Sequence, residues 1–283
     1  LTPGVEAHTH ESISTAHEDV KFGFSIASGA AAVAVAEVLT HASLELRGFH
    51  CHVGSQIFGT DSFELAATRI IALMAECKSK HGIELPELDL GGGYAIAYMP
   101  GDVTVEPEDV LPALSAVVKR ECAAAGLALP IISIEPGRNI VGPTTFTLYE
   151  VGTVKDVLLE DGSTRRYISV DGGMSDNIRP SLYGAEYSAV LADRVSTSAH
   201  VLSRVVGKHC ETGDIVIRDI QLPSDIAPGD LLATPATGAY GRSMASNYNH
   251  VPRPPVVAIK NGKARVIVRR ENEADLLALD VKE

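Results

Sequence analysis

Pro130-Ile-Ile-Ser-Ile-Glu-Pro-Gly-Arg138 decides how the rest of the chain is read. Residues 131–134 are an apolar run bounded by Pro and Gly, the pattern of a short strand buried on both faces of a parallel sheet. The run ends in a charged turn, with Glu135 as acid, Pro136-Gly137 as turn and Arg138 as cation. In α/β barrels the chemistry sits at the carboxyl ends of the strands, so this tip is a candidate site. A carboxylate and a guanidinium around a Gly turn suit a ring nitrogen and a phosphate. The plainer alternative is a surface ion pair after a core strand.

Upstream, apolar strands alternate with helical stretches. Strands are expected over 5–8, 45–52 and 86–90, and helices over 28–40, 62–81 and 107–126. Phe63, Ala66, Ala67, Ile70, Leu73 and Met74 recur at helical spacing. Pro107 opens the third helix and Gly126 closes it, the usual end asymmetry. Strand and helix alternating through short loops imply right-handed βαβ units and a parallel sheet. So few strands cannot close an eight-stranded barrel. The expectation is therefore that the first barrel strands precede Leu1; a small open sheet is the alternative.

Downstream of residue 143 the pattern changes to short β-rich runs, at 145–154, 166–170, 200–206, 214–222, 256–260 and 263–269. Asn261-Gly262 between the last two is the strongest hairpin signal in the chain. An antiparallel sandwich or barrel is expected here.

Composition narrows the function classes. The chain has 283 residues, 45% hydrophobic and 21% charged, an ordinary globular profile. Its net charge of -12, without a basic cluster, argues against nucleic acid. No apolar run reaches membrane-spanning length. Cys51, Cys77, Cys122 and Cys210 are scattered and form neither CxxC nor a zinc pattern. A reduced, cytoplasmic setting follows, and no metal is expected.

Further constellations stand at strand ends and in loops. Phe49-His-Cys-His-Val-Gly-Ser55 closes a strand with two imidazoles, a glycine and a hydroxyl. An imidazole there can stack on a flat ring. Gly91-Gly-Gly93 can form an anion-binding nest or a plain turn, but it is not a dinucleotide fingerprint. Arg179 and Tyr183 suit a carboxylate, since Arg recognises carboxylates bidentately; a loop-capping role for Arg179 is the alternative. Cys210 beside Glu211 in a polar loop is a proton-transfer candidate, whereas the other cysteines read as core. Tyr240 offers a phenol between small residues.

His52-Val-Gly-Ser55, Gly91-Gly-Gly93, Glu135-Pro-Gly-Arg138, His209-Cys-Glu211 and Gly238-Ala-Tyr240, in this order, strongly resemble the group IV pyridoxal-phosphate decarboxylases. The likeness spans essentially the whole chain and is strongest to the branch acting on meso-diaminopimelate. It implies an α/β plus all-β fold: residues 1–143 as the C-terminal half of a pyridoxal-phosphate-binding (β/α)8 barrel, and 144–283 as a β-sandwich or barrel domain. It implies decarboxylation of meso-2,6-diaminopimelate to L-lysine and CO2. His52 would stack on the cofactor ring with Ser55 nearby. Gly92, Gly93, Gly137 and Arg138 would cradle the phosphate, Pro136 would also contact the cofactor, and Glu135 would pair with the pyridinium nitrogen. Arg138, Arg179 and Tyr183 would bind the distal carboxylate and Glu211 the distal ammonium. Cys210 would protonate Cα, and Tyr240 would touch both cofactor and substrate. The family also implies a homodimer, with Cys210 and Glu211 coming from the partner subunit.

One departure stands out. The family's Schiff-base lysine, inside an Ala/Lys-rich motif at the end of an early barrel strand, has no match here; Lys21, Lys119 and Lys155 occupy other settings. The expectation is a lysine upstream of Leu1. The alternatives are a catalytically silent homologue acting as a dimerising module, or a decarboxylase of another diamino acid.

Overall fold

The computed structural model describes residues 1–5 and 21–281; past Val5, the strand expected over 5–8 lies outside them. The first of two compact units comprises Leu1–Ala97 and Gly101–Gly142. It contains α1 (Ala30–Thr40), β1 (Gly48–His50), α2 (Asp61–His81), β2 (Glu87–Asp89), α3 (Pro107–Ala125), β3 (Ile131–Ser133) and α4 (Gly137–Val141). The strands form one parallel sheet in the order β1-β2-β3.

Local chemistry explains the helices. Asp61 and Glu64 lie in the first turn of α2 and Lys78, Lys80 and His81 in its last, each sign placed against the opposite end of the helix dipole. Gly82 closes α2 and Gly126 closes α3, both in the left-handed region that an L side chain resists. The inner face of α2 buries Phe63, Ala66, Ala67, Ile70, Ile71, Leu73, Met74 and Cys77. These pack in one core with Phe49, Leu88 and Leu90 around the sheet, and with Leu114, Val118 and Cys122 of α3. Each fully buried large side chain contributes about 1.5–3 kcal/mol.

The strands are shorter than expected, and β3 is not buried. Ile131 is 67% exposed, and Ser133 is exposed too. Among the described residues β3 pairs only with β2, so its apolar run belongs to an edge strand. Beyond the strand ends, Cys51 N–H still donates to Asp89 O, Leu90 N–H to Ser133 O and Glu135 N–H to Gly91 O. The three loops that follow the strands are thus tied together.

The second unit comprises Tyr98–Pro100 and Pro143–Glu283. It contains β4 (Thr147–Leu158), β5 (Thr164–Val170), α5 (Arg179–Tyr183), β6 (Val190–Leu191), β7 (His200–Val206), β8 (Ile215–Pro223), β9 (Leu231–Thr234), α6 (Gly241–Met244), β10 (Val256–Lys260), β11 (Lys263–Val268) and α7 (Glu273–Leu276). A six-stranded sheet runs β6-β9-β4-β5-β7-β8. It is not wholly antiparallel as expected, because β5 and β7 are parallel. A parallel pair needs a long crossover, and the segment carrying α5 and β6 provides it. β10 and β11 form the expected hairpin, with Asn261 at φ 52 and Gly262 at φ 72, a primed turn that matches strand twist.

Candidate active site

In the first unit, the candidate residues follow the carboxyl ends of β1, β2 and β3. After β1 come His52 and Ser55; after β2 the glycine triplet; after β3 Glu135 and Arg138. Parallel pairing brings these three loops to the carboxyl end of the sheet. The glycines permit their close approach. A Cβ on Gly92 would lie 2.3 Å from the Glu135 carbonyl oxygen. Gly93 sits at φ 107, where a Cβ would meet the Gly54 carbonyl at 2.2 Å.

The expected amide nest is partly committed within the protein. Gly91 N–H donates to Asp89 Oδ1 at 2.9 Å, and Gly92 N–H to His52 Nδ1 at 3.3 Å. The second bond makes His52 Nδ1 an acceptor. Burial lowers the pKa of the half-buried His52 imidazole from its ordinary value, against the opposing pull of Glu135. A neutral ring results, with its proton on Nε2.

Arg138 is 6% exposed, and one of its terminal nitrogens donates to Ser55 Oγ at 2.8 Å. A cation and a hydroxyl are thereby held side by side. Glu135 is exposed, and its carboxylate lies 3.3 Å from Nε2 of His50. Ligand atoms of His50, Asp89 and Glu135 all fall within 4.8 Å of one another. His50 was not singled out from the sequence as a partner of Glu135; its spacing two before His52 was the available signal.

In the second unit, Arg179 opens α5 and is only 5% exposed. Its guanidinium lies 5.0 Å over the Tyr98 ring and 5.8 Å over the Tyr187 ring, and Nη1 donates to the Tyr187 hydroxyl at 2.8 Å. Tyr183, at the far end of α5, is partly buried. The sequence reading missed Tyr98 and Tyr187, since nothing in their spacing marks them as partners of Arg179.

Cys210 and Glu211 occupy the turn between β7 and β8, and both are exposed. The buried Asp214 carboxylate anchors that turn. It accepts from Met174 N–H at 2.6 Å and His209 N–H at 2.8 Å, tying the Gly-rich loop after β5 to the Cys210 loop. His209 Nε2 lies 2.9 Å from Ser175 Oγ. The Tyr248 hydroxyl donates to Glu211 at 2.5 Å. Tyr240 caps α6 with a left-handed backbone at φ 67 and is 49% exposed. The remaining cysteines are buried, as their core reading requires, and burial pushes the Cys51 thiol up to about 12.

Two models of one family match the chain. The pyridoxal binding domain of the pyridoxal-dependent decarboxylases matches residues 1–142, and their C-terminal sheet domain matches 140–238. Diaminopimelate decarboxylase of Mycobacterium tuberculosis is 54% identical over 286 residues, covering 100% of this chain and 64% of the relative. The Corynebacterium efficiens enzyme of the same name is 52% identical over 281 residues, covering 99% of this chain and 61% of the relative. The chain therefore spans less than two thirds of the length of these curated relatives. Among solved structures, diaminopimelate decarboxylase from Helicobacter pylori with L-lysine superposes with a TM-score of 0.84 at 31% identity, over 99% of this chain and 65% of that one. The M. jannaschii enzyme with L-lysine gives 0.88 at 30%, over 100% and 62%. With both halves matched in order, the chain belongs to the pyridoxal-dependent decarboxylase family.

Proposed function

We propose that this chain carries most of the machinery of a pyridoxal-phosphate-dependent carboxy-lyase that converts meso-2,6-diaminopimelate to L-lysine and CO2. The observation that carries the reading is the donor set at the ends of three consecutive parallel strands. An exposed carboxylate (Glu135), a guanidinium held on a serine hydroxyl (Arg138 with Ser55) and a half-buried neutral imidazole (His52) stand there together. These groups fit a phosphorylated pyridine: a cation and hydroxyl for the phosphate, an acid for the ring nitrogen, a flat ring for its face. We read residues 1–143 as the C-terminal part of a (β/α)8 barrel and 144–283 as its β domain.

When bound, the cofactor supplies an electron sink for the charge left at Cα as CO2 departs. Gly92, Gly93, Gly137 and Arg138 would hold its phosphate end, with Ser55 and Pro136 beside the cofactor. Glu135 would keep the proton on the ring nitrogen by offering a carboxylate to the N–H. His52, uncharged, can lie against the ring without opposing that positive nitrogen. Cys210 Sγ would deliver a proton to Cα after CO2 loss. Glu211 would pair with the distal ammonium, and Arg138, Arg179 and Tyr183 with the distal carboxylate; Tyr240 would contact cofactor and substrate. Arg179 with Glu211 suits a zwitterionic distal end, whereas a simple diamine end would favour acids alone. The working protein is read as a cytoplasmic homodimer with Cys210 and Glu211 serving the partner's site.

The test is CO2 release from meso-diaminopimelate by the full-length protein, with and without added pyridoxal phosphate. Stoichiometric L-lysine that depends on the cofactor is expected. Cofactor binding without CO2 from diaminopimelate would sink the reading. CO2 from another diamino acid would move the substrate assignment.

A further inference from the structure

We propose that Tyr98 and Tyr187 form an aromatic clamp that holds the Arg179 guanidinium for an incoming carboxylate, and that the clamp sets selectivity for substrates bearing one. This rests on the assignment of Arg179 to the distal carboxylate.

Buried arginines are ordinarily paired with anions or carbonyls, and three partly buried arginines of this chain follow that habit. Arg194 bridges Asp225 and Asp230, Arg166 bridges Asp156, and Arg253 bridges Glu271. Arg179 is the contrast. It is more deeply buried than any of these, at 5% exposure, yet among the described residues it forms no ion pair. Its surroundings are the faces of Tyr98, 8% exposed, and Tyr187, 2% exposed; the Tyr187 hydroxyl accepts from Nη1 at 2.8 Å, and the Tyr98 side chain is hydrogen-bonded to the guanidinium as well. Its Nε is buried without a hydrogen-bond partner.

Such a cation has lost most of its hydration and gained π faces and only neutral tyrosine partners in return. Cation–π contact recovers part of that cost but supplies no negative charge. The site is thus poised for an anion, and the guanidinium fork favours a carboxylate.

The clamp is also fixed from several sides. The two tyrosine rings meet edge to face at 5.1 Å, so neither can turn without disturbing the other. Ser188 Oγ donates to the Tyr98 carbonyl at 3.2 Å, tying the Tyr98–Pro100 segment to the chain beside Tyr187. Gly184, at φ 62, ends α5 between Arg179 and Tyr187 and lets the chain fold back on the arginine. Tyr98 and Tyr187 act through Arg179 and are positioning residues.

The experiment is calorimetric titration of the full-length protein with L-lysine and with cadaverine. L-Lysine retains the distal carboxylate of diaminopimelate, and cadaverine lacks it. Tyr187→Phe and Tyr98→Leu are each expected to weaken L-lysine about tenfold, the scale of one hydrogen bond or π contact to a charged group, while cadaverine affinity holds. Tyr98→Phe, which keeps the ring and removes only the hydroxyl, should weaken L-lysine less than Tyr98→Leu does. For diaminopimelate, KM should rise with kcat little changed. Equal losses for L-lysine and cadaverine would overturn the proposal, as would unchanged L-lysine binding in both variants. Should Tyr98→Leu fail to fold, Tyr187→Phe alone decides. Arg179→Ala separates the two layers. If it abolishes L-lysine selectivity while the tyrosine variants do not, the clamp is wrong and the arginine assignment stands. If Arg179→Ala changes nothing, the arginine assignment itself falls.

Discussion

The Tyr248 hydroxyl donates a 2.5 Å hydrogen bond to the carboxylate of Glu211, next to Cys210. Both side chains are exposed, so solvent competes for each of them. The bond nonetheless gives an acid on a polar turn a defined direction. The same contact raises the pKa of the Tyr248 hydroxyl, first through the hydrogen bond to Glu211 and then through its charge, so the phenol remains a donor at neutral pH.

Tyr248→Phe removes only that donor. Glu211 then loses its orientation while keeping its charge. Solvent competes for this exposed bond, so KM for diaminopimelate should rise only severalfold. The fall in kcat should be small. Steady-state kinetics on the purified full-length protein decide it, and an unchanged KM would remove Tyr248 from any role in orienting Glu211.

His52 makes the folded state less stable in acid. Its folded-state pKa is lowered, chiefly by burial, so between its ordinary value of 6.5 and the depressed folded value the unfolded chain binds the extra proton. Stability contributed by the neutral ring is therefore present above pH 6.5 and is lost as pH falls below it. Thermal melts of the parent and His52→Gln between pH 8 and 5, compared as a difference curve, should show the parent losing its advantage below about 6.5. A difference curve flat across that window would mean the imidazole is not held neutral.

Gly92→Ala tests the close approach of the strand-end loops. The added Cβ would sit 2.3 Å from the backbone oxygen of Glu135, and backbone cannot swing aside as a side-chain tip can. Either the β2 or the β3 loop must move. A loss of about 1–3 kcal/mol, typical of overpacking, is expected in urea unfolding. Weaker pyridoxal-phosphate binding should accompany it as Glu135 and Arg138 are displaced. An alanine variant with parental stability and affinity would show that the approach is not needed.

Much of the scaffold was legible because it rests on local rules. The Gly-capped helices, the βαβ alternation and the Asn261-Gly262 hairpin each follow from spacing and turn chemistry. What was not legible depends on long-range pairing. Residues 131–134 have the composition of a covered strand, but exposure is set by neighbours, and β3 has only β2 beside it. β6 and β9 are too short to show alternation, and the parallel pairing of β5 with β7 is decided by a crossover whose path is tertiary. The same holds at the site. His52 with Gly92 and Arg138 with Ser55 join motifs already marked in the sequence, but Tyr98, Tyr187 and Tyr248 reach their partners across distant segments and carry no motif of their own.

Cys210 differs from the other thiols in setting, and that difference is measurable. Cys51, Cys77 and Cys122 are buried, and burial raises the pKa of each, so they are poor nucleophiles as well as inaccessible. Cys210 is exposed on its turn. Brief treatment of the native protein with iodoacetamide, followed by peptide mapping, should place the label on Cys210 and leave these three unmodified until the protein is denatured. If Cys210 protonates Cα, labelling should abolish lysine formation while leaving pyridoxal phosphate bound, and Cys210→Ala should do the same. With label on Cys210 and turnover intact, the proton must come from another group.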